Sequence, residues 1–210
     1  MVKKMEDLLT VVRERRSANK FLKGIKVPRE DFEAIFEDLT QAPSCFNLQH
    51  ARYYVGETEE TINQLYEASY KQYKVLTSSA TIIVTGDKDA YKGAAQIYEA
   101  SKNLRIIDEE EYDAMLNAIN GLYEGGGESF QHDEAIRNAS ISSMLFMLLA
   151  KNQGWDTCPM IYFNQDSVRQ IFDIPENEVP VLMISMGKMD NTSFRVRGYR
   201  KPQNEYVKFK

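Results

Sequence analysis

The sequence predicts a small α/β or α+β sheet with helices packed around it. Two runs carry that expectation: ATIIVTGD at 80–87 and VPVLMISMG at 179–187 are short, apolar and bounded by turn signals, as buried strands are. Most of the remaining apolar residues instead recur at helical spacing, and strands separated by helices make a layered domain. With 210 residues, 43% of them hydrophobic, the chain can bury one substantial core, so 1–210 reads as a single domain.

The elements follow in order. Met5, Leu8, Leu9 and Val12 share one face of a first helix. Phe32, Ile35, Phe36 and Leu39 do the same in a second, opened by Pro28, because proline is tolerated in a first turn. Tyr53 to Gly56 reads as a short strand, after which Thr58 caps a helix carrying Ile62, Leu65 and Tyr66. Beyond the 80–87 strand, Tyr91, Ala94, Ala95 and Tyr98 form a helical stripe. Asp108 and Glu111 have the spacing of a capping box ahead of Tyr112, Met115, Leu116 and Ile119. GLYEGGGES at 121–129 reads as a flexible break. HDEAIRNASISSMLFMLLAKNQG is then a long helix, acidic at its start and ended by Gly154, with small residues among apolar ones, hence buried on most sides. Asn164 caps a further helix through Val168, Ile171 and Phe172. The tail, SFRVRGYRKPQNEYVKF, is extended and basic, and with no partner strand of its own it is expected to reach a second subunit.

Charge and cysteine usage exclude several function classes. A net charge of −5 and a pI near 5.2 make nucleic acid and anionic membrane poor partners, while leaving room for a local basic site that takes a small anion. Two cysteines, Cys45 and Cys158, make neither a secreted disulfide framework nor a metal-ligand pair, which favours a reducing compartment. The first residues, MVKKMEDLLTVVRERR, turn charged too soon for a signal peptide, and MLFMLLA at 144–150 falls far short of the roughly 20 residues that span a bilayer. A soluble, cytoplasmic protein is the expectation.

Three stretches could carry chemistry. RERRSANKF places Arg15, Arg16 and Ser17 where the first helix runs out; guanidinium forks and a hydroxyl suit phosphate oxygens, although a basic pair at a helix C-terminus also complements the helix dipole. VRGYRKP adds Arg197, Arg200 and Lys201 far away in sequence, as a second half of an anion site or as a solvated tail. In QAPSCFNLQH, the small polar groups of Pro43 to Gln49 either satisfy a turn's own backbone or face a ligand. Lys71 and Lys74 lie near a helix end, where a solvated face is the ordinary reading. Nucleophilic catalysis by Ser44 or Cys45 with His50 lacks the G-x-S-x-G context, the two histidines, His50 and His132, show no H-E-x-x-H spacing, and EGGG at 124–127 matches no nucleotide-binding loop.

Taken in order, RRSANKF, APSCFNLQHARYYV, YKQYKVLTSSATIIV, GWDTCPMIYF and GYRKPQNEYV resemble the nitroreductase family of FMN-dependent enzymes, over residues 13 to 207. The resemblance implies an α+β fold, with a central mixed or antiparallel sheet flanked by helices, and FMN bound at the interface of a domain-swapped homodimer. The C-terminal extension, from about 190 to 210, would reach the partner subunit. It implies that Arg15, Arg16 and Ser17 hold the FMN phosphate and ring edge, and that Arg200 also meets the phosphate. Pro43, Ser44, Cys45 and Asn47 match the loop that the other subunit brings beside the isoalloxazine. Pro159, Met160 and Ile161 match the segment near flavin N5, and Lys71 and Lys74 the contacts to the ribityl and pyrimidine side.

Three departures are visible. Asn19 stands where a basic residue is common, a task for which Lys71 or Lys74 is available. Ile161 or Tyr162 replaces a glycine, and His50 and Ala51 replace a Pro-Trp pair. The implied activity is ping-pong reduction of nitroaromatics, quinones or similar electron-poor acceptors by NAD(P)H, with the chemistry at FMN N5, no dedicated catalytic side chain and no metal. The alternatives are a reductase of an enone or halogenated aromatic, gated differently by Tyr162 and the 121–129 region, and a flavin-binding protein without turnover.

Overall fold

The fold is that of a computed structural model, described over residues 7–210. Four strands, β1 (Ala51–Gly56), β2 (Ala80–Asp87), β3 (Asp156–Met160) and β4 (Glu178–Gly187), form one sheet in the order β1-β2-β4-β3. Every pairing is antiparallel. The two strands read most directly from sequence are the two central ones. In β2, Ile82 and Val84 point into one core and Ile83 into the other, all fully buried. A strand covered on both faces gains burial at every position, and that explains a continuous apolar run instead of an alternating one.

Helices α2 (Arg29–Leu39) and α6 (Glu109–Asn152) cover one face, sealing Phe32, Ile35, Phe146 and Ala150 against Ile82, Val84, Ile184 and Met186. On the other face α3 (Glu59–Ala68), α4 (Tyr73–Thr77) and α7 (Gln165–Phe172) bring Leu65, Val75 and Val168 onto Ile83 and Met183. Small residues let α6 come close: a side chain at Gly86 of β2 would run into the Ala135 carbonyl. The expected caps are present, with Thr58 and Asn164 accepting from Thr61 and Ser167 N–H and Asp108 closing a reciprocal box with Glu111. Helix α1 (Leu8–Glu14) contains Leu8, Leu9 and Val12; Met5 lies outside the described residues.

Two features depart from expectation. The 121–129 stretch is not a flexible break, because helix continues through Gly121, Gly125 and Gly126 and is interrupted only at Gly127, where φ is 68°. Buried Ile119 and Tyr123 anchor this turn in a small third core with Leu48, Tyr91 and α5 (Ala94–Asn103), which outweighs the poor helix propensity of the glycines. Strand β3 is the second difference, since Pro159 argues against a strand. Proline is tolerated there because β3 is an edge strand that pairs with β4 alone, apart from one parallel bridge between Ser17 and Thr157.

Candidate functional site

Helix α1 ends at Arg15, whose backbone turns extended, and the following residues lie along the free edge of β3. Ser17 bridges Thr157, and Ala18 N–H donates to the Thr157 carbonyl at 3.1 Å. Further on, Leu22 N–H donates to Lys188, and Asp190 N–H donates back to Lys20 at 2.9 Å. Lys20 also pairs with the Asp190 carboxylate at 2.9 Å. Hydrogen bonds from Thr192, together with that ammonium, hold the carboxyl down at about 2. These contacts stitch the segment after α1 to the segment after β4, so two basic clusters nearly 180 residues apart meet.

Where they meet, Arg15, Arg16, Ser17, Asn19, Arg195, Arg197 and Arg200 line a cavity of about 180 Å³. Among the described residues no carboxylate lines it. Arg16 lies 4.4 Å over the Phe194 ring and donates to the Arg195 carbonyl at 3.1 Å. Arg197 donates to the carbonyls of Arg13 and Arg15, satisfying groups that the end of α1 leaves without helical partners. Burial lowers the Arg15 pKa, and the charges of Arg197 and Arg200 lower it further. The site therefore concentrates mutually repelling cations and favours whatever anion relieves them.

The remaining residues of this half converge on the same edge. Cys158 of β3 is buried, which raises its thiol pKa against the opposing influence of Lys74, Ser17 and Arg15, so Lys74 of α4 reaches the patch that Ser17 and Arg15 form. Tyr70 and Lys71 both have positive φ in the turn before α4; the Tyr70 ring sits 4.5 Å from that of Tyr162, and Gln72 donates to the Tyr162 carbonyl at 2.8 Å. The Lys71 ammonium makes an exposed pair with Glu67 at 3.6 Å. Met160 is buried, whereas Ile161 and Tyr162 remain 79% and 68% exposed, an apolar pair presented to solvent beside the site.

Pro43 to Asn47 lie elsewhere. Phe46, Asn47 and Gln49 all adopt left-handed φ, which non-glycine residues occupy only when held there. Several bonds do the holding. The Ser44 hydroxyl accepts from Gln49 N–H at 3.0 Å, the Phe46 carbonyl accepts from the Tyr98 hydroxyl at 3.0 Å, and Cys45 N–H donates to the Asn138 side chain at 2.8 Å. His50 is fully buried, 2.9 Å from the Tyr123 hydroxyl through Nε2, with Nδ1 unpartnered. Pro43, Ser44, His50 and Ala51, with Phe36, Tyr53, Asn138 and Ser142, border a second cavity that shares no residue with the arginine cavity. Within one chain the loop and the arginines are thus not brought together.

The profile of the nitroreductase family matches residues 12–188. MhqN of Bacillus subtilis, named as a candidate NAD(P)H nitroreductase, is 48% identical over 98% of this chain and 100% of its own length. The chain belongs to the nitroreductase family. The crystal structure of a candidate nitroreductase, YdfN, also from Bacillus subtilis, superposes with a TM-score of 0.93 at 48% identity, covering 96% of this chain and 98% of that one. A candidate nitroreductase from Exiguobacterium sibiricum, solved in complex with FMN, gives 0.89 at 30% identity, with both chains fully covered. The protein is accordingly an oxidoreductase with the α+β nitroreductase fold.

Sequence reasoning missed Asn138. Its side-chain NH₂ donates to the Glu134 carbonyl at 2.8 Å and carboxylate at 3.1 Å, while its oxygen holds Cys45. Glu134 is itself buried and paired with Arg137. An asparagine inside an otherwise apolar and small-residue helix face was the available signal. Asn138→Ala should cost about 2 kcal/mol of stability, because it leaves a strained loop's N–H without its partner and takes one hydrogen bond from a buried carboxylate. Urea unfolding measures this, and an unchanged midpoint would assign the loop's conformation to its own turn bonds.

Proposed function

We propose that the protein is an FMN-dependent NAD(P)H oxidoreductase that reduces nitroaromatic, quinone or similar electron-poor acceptors by a ping-pong mechanism, acting as a homodimer with two shared sites. The observation that carries this reading is the arginine cavity: cations from both ends of the chain, with no carboxylate among the described residues that line it, fit the phosphate of a flavin nucleotide. When bound, FMN supplies the hydride chemistry between nucleotide and acceptor.

The chain's own residues orient and tune. Arg15, Arg16 and Arg200 bind the phosphate, with the Ser17 hydroxyl beside them. Lys74, set against the Cys158 thiol, supplies the positive charge that Asn19 does not and favours negative charge on the pyrimidine end. Lys71 faces the ribityl side, and backbone groups from Pro159 to Ile161 lie along the reactive edge. The loop Pro43–Asn47 serves the site of the partner, which its separation from the arginines of its own chain supports. The C-terminal extension completes the exchange. Exposed Ile161 and Tyr162 give the open face an apolar border suited to aromatic acceptors.

The test is anaerobic mixing of the purified protein with a pyridine nucleotide, then with a nitroaromatic or quinone. Yellow protein that bleaches with the first and regains colour with the second is expected. A colourless protein that gains no colour on adding FMN sinks the proposal, and flavin that stays oxidised would leave a binding protein without turnover.

A further inference from the structure

The arginine cavity holds more positive charge than one phosphate requires. Among the described residues five arginines line it, Arg15, Arg16, Arg195, Arg197 and Arg200, whereas a phosphate monoester is at most a dianion. Their local duties differ. Arg197 is engaged by the carbonyls at the end of α1, and Arg200 donates to the Gly198 and Tyr199 carbonyls. Arg16 stacks on Phe194 and holds the backbone of Arg195 through its carbonyl. Among the described residues nothing pairs with the Arg195 guanidinium, although the residue lines the cavity and its carbonyl accepts from Arg16. An exposed guanidinium without a partner, beside the proposed phosphate site, is free to take a second anion that comes and goes.

We infer that the second anion is the 2′-phosphate of NADPH, with Arg195 as the residue that selects NADPH over NADH. This rests on the flavin reading above, because that reaction brings one further polyanion to the site, the pyridine nucleotide. NADPH and NADH share a pyrophosphate and differ only in the ribose 2′-phosphate. A guanidinium matches phosphate oxygens in a bidentate fork, and the same guanidinium gains no such partner from a 2′-hydroxyl. Discrimination then comes from both sides: a charge-assisted bond with the right nucleotide, and a concentration of uncompensated cations with the wrong one. Exclusion of carboxylates from the lining fits this, since an acidic residue would favour a ribose hydroxyl instead.

The experiment uses FMN-loaded protein, wild type and Arg195→Ala, with Arg195→Lys as a conservative control. Each is titrated by calorimetry with adenosine 2′,5′-bisphosphate and with adenosine 5′-monophosphate, and each is reduced anaerobically with NADPH and with NADH. Wild type should bind the bisphosphate at least tenfold more tightly, and NADPH should reduce the flavin at least tenfold faster per mole than NADH. Both ratios should fall at least fivefold in Arg195→Ala and recover in part in Arg195→Lys. NADH matching NADPH in the wild type, or a variant that lowers both nucleotides in equal proportion, would assign the surplus charge to the shared pyrophosphate and overturn the inference. FMN content, read by visible absorbance, separates the two readings. Protein that does not retain FMN fails the proposed function, whereas protein that retains it without discriminating fails only the NADPH assignment.

Discussion

Replacing Arg15 or Arg200 with alanine is expected to loosen FMN by roughly 1.5 to 3 kcal/mol each, since on the proposed reading each removes a charge-assisted hydrogen bond to phosphate. The double variant should lose more than about a hundredfold in affinity, with departures from additivity because the two cations sense each other. A second sign distinguishes a binding site from an ordinary basic surface. Arg15 is half-buried, and its charged form is opposed by burial and by Arg197 and Arg200, so the apo protein carries repulsion that an anion relieves. Arg15→Ala should therefore leave apo stability unchanged or raised while it weakens FMN. Thermal unfolding with and without FMN reads both effects. If apo stability falls and FMN-induced stabilisation is unaltered, Arg15 is a structural cap and the phosphate lies elsewhere.

How much of this was legible depends on how local the cause is. Strand β2 and the caps at Thr58, Asp108 and Asn164 rest on neighbouring residues, and they stand where the pattern of side chains puts them. Strand β3 rests on a non-local fact: Pro159 is compatible with a sheet only on an edge, and nothing near Pro159 reveals which strand is the edge. The helix through Gly121 to Gly126 similarly depends on Tyr123 finding Tyr91, a partner outside the helix that no helix propensity encodes. For the site, the residue types pointed to an anion at each end of the chain. Their meeting depends on Ser17 bridging Thr157 and on Lys20 meeting Asp190, and Arg195 stood out in no motif.

The loop Pro43–Asn47 shows both outcomes in one place. Ser44 and Gln49 do close a turn on their own backbone, as small polar side chains often do. Yet three left-handed residues, pinned from α6 by Asn138 and from α5 by Tyr98, exceed what a plain connection needs. Such strain persists only where surrounding structure enforces it, and it concentrates at binding sites. The turn and the ligand wall are thus compatible readings, because the first provides the rigidity the second requires.

His50, at the end of this loop, should make the protein acid-sensitive in a defined window. Burial dominates its environment and drives its pKa from 6.5 down to about 4; Arg52 lowers it as well, and Asp87 opposes both. The Tyr123 hydroxyl meets Nε2, and burial with the nearby Cys45 thiol pushes that phenol well above its usual range, so Tyr123 stays neutral and offers an imidazolium no counter-charge. The sign follows from proton uptake. Between about 6.5 and 4 the unfolded chain binds a proton at this position and the folded chain does not, so stability is full above that window and declines as pH falls through it. At 1.36 kcal/mol per unit, the decline amounts to about 3 kcal/mol. His50→Gln, which keeps a polar group near Tyr123 without titrating, should flatten the difference in urea midpoint between pH 7 and pH 4.5; a slope unchanged from wild type would assign it to carboxylates elsewhere. The His50 carbonyl accepts from Asp87 N–H of β2 at 2.8 Å, and its neighbour Gln49 closes onto Ser44, so His50 joins the loop to the sheet and acid loss of its packing is expected to affect both.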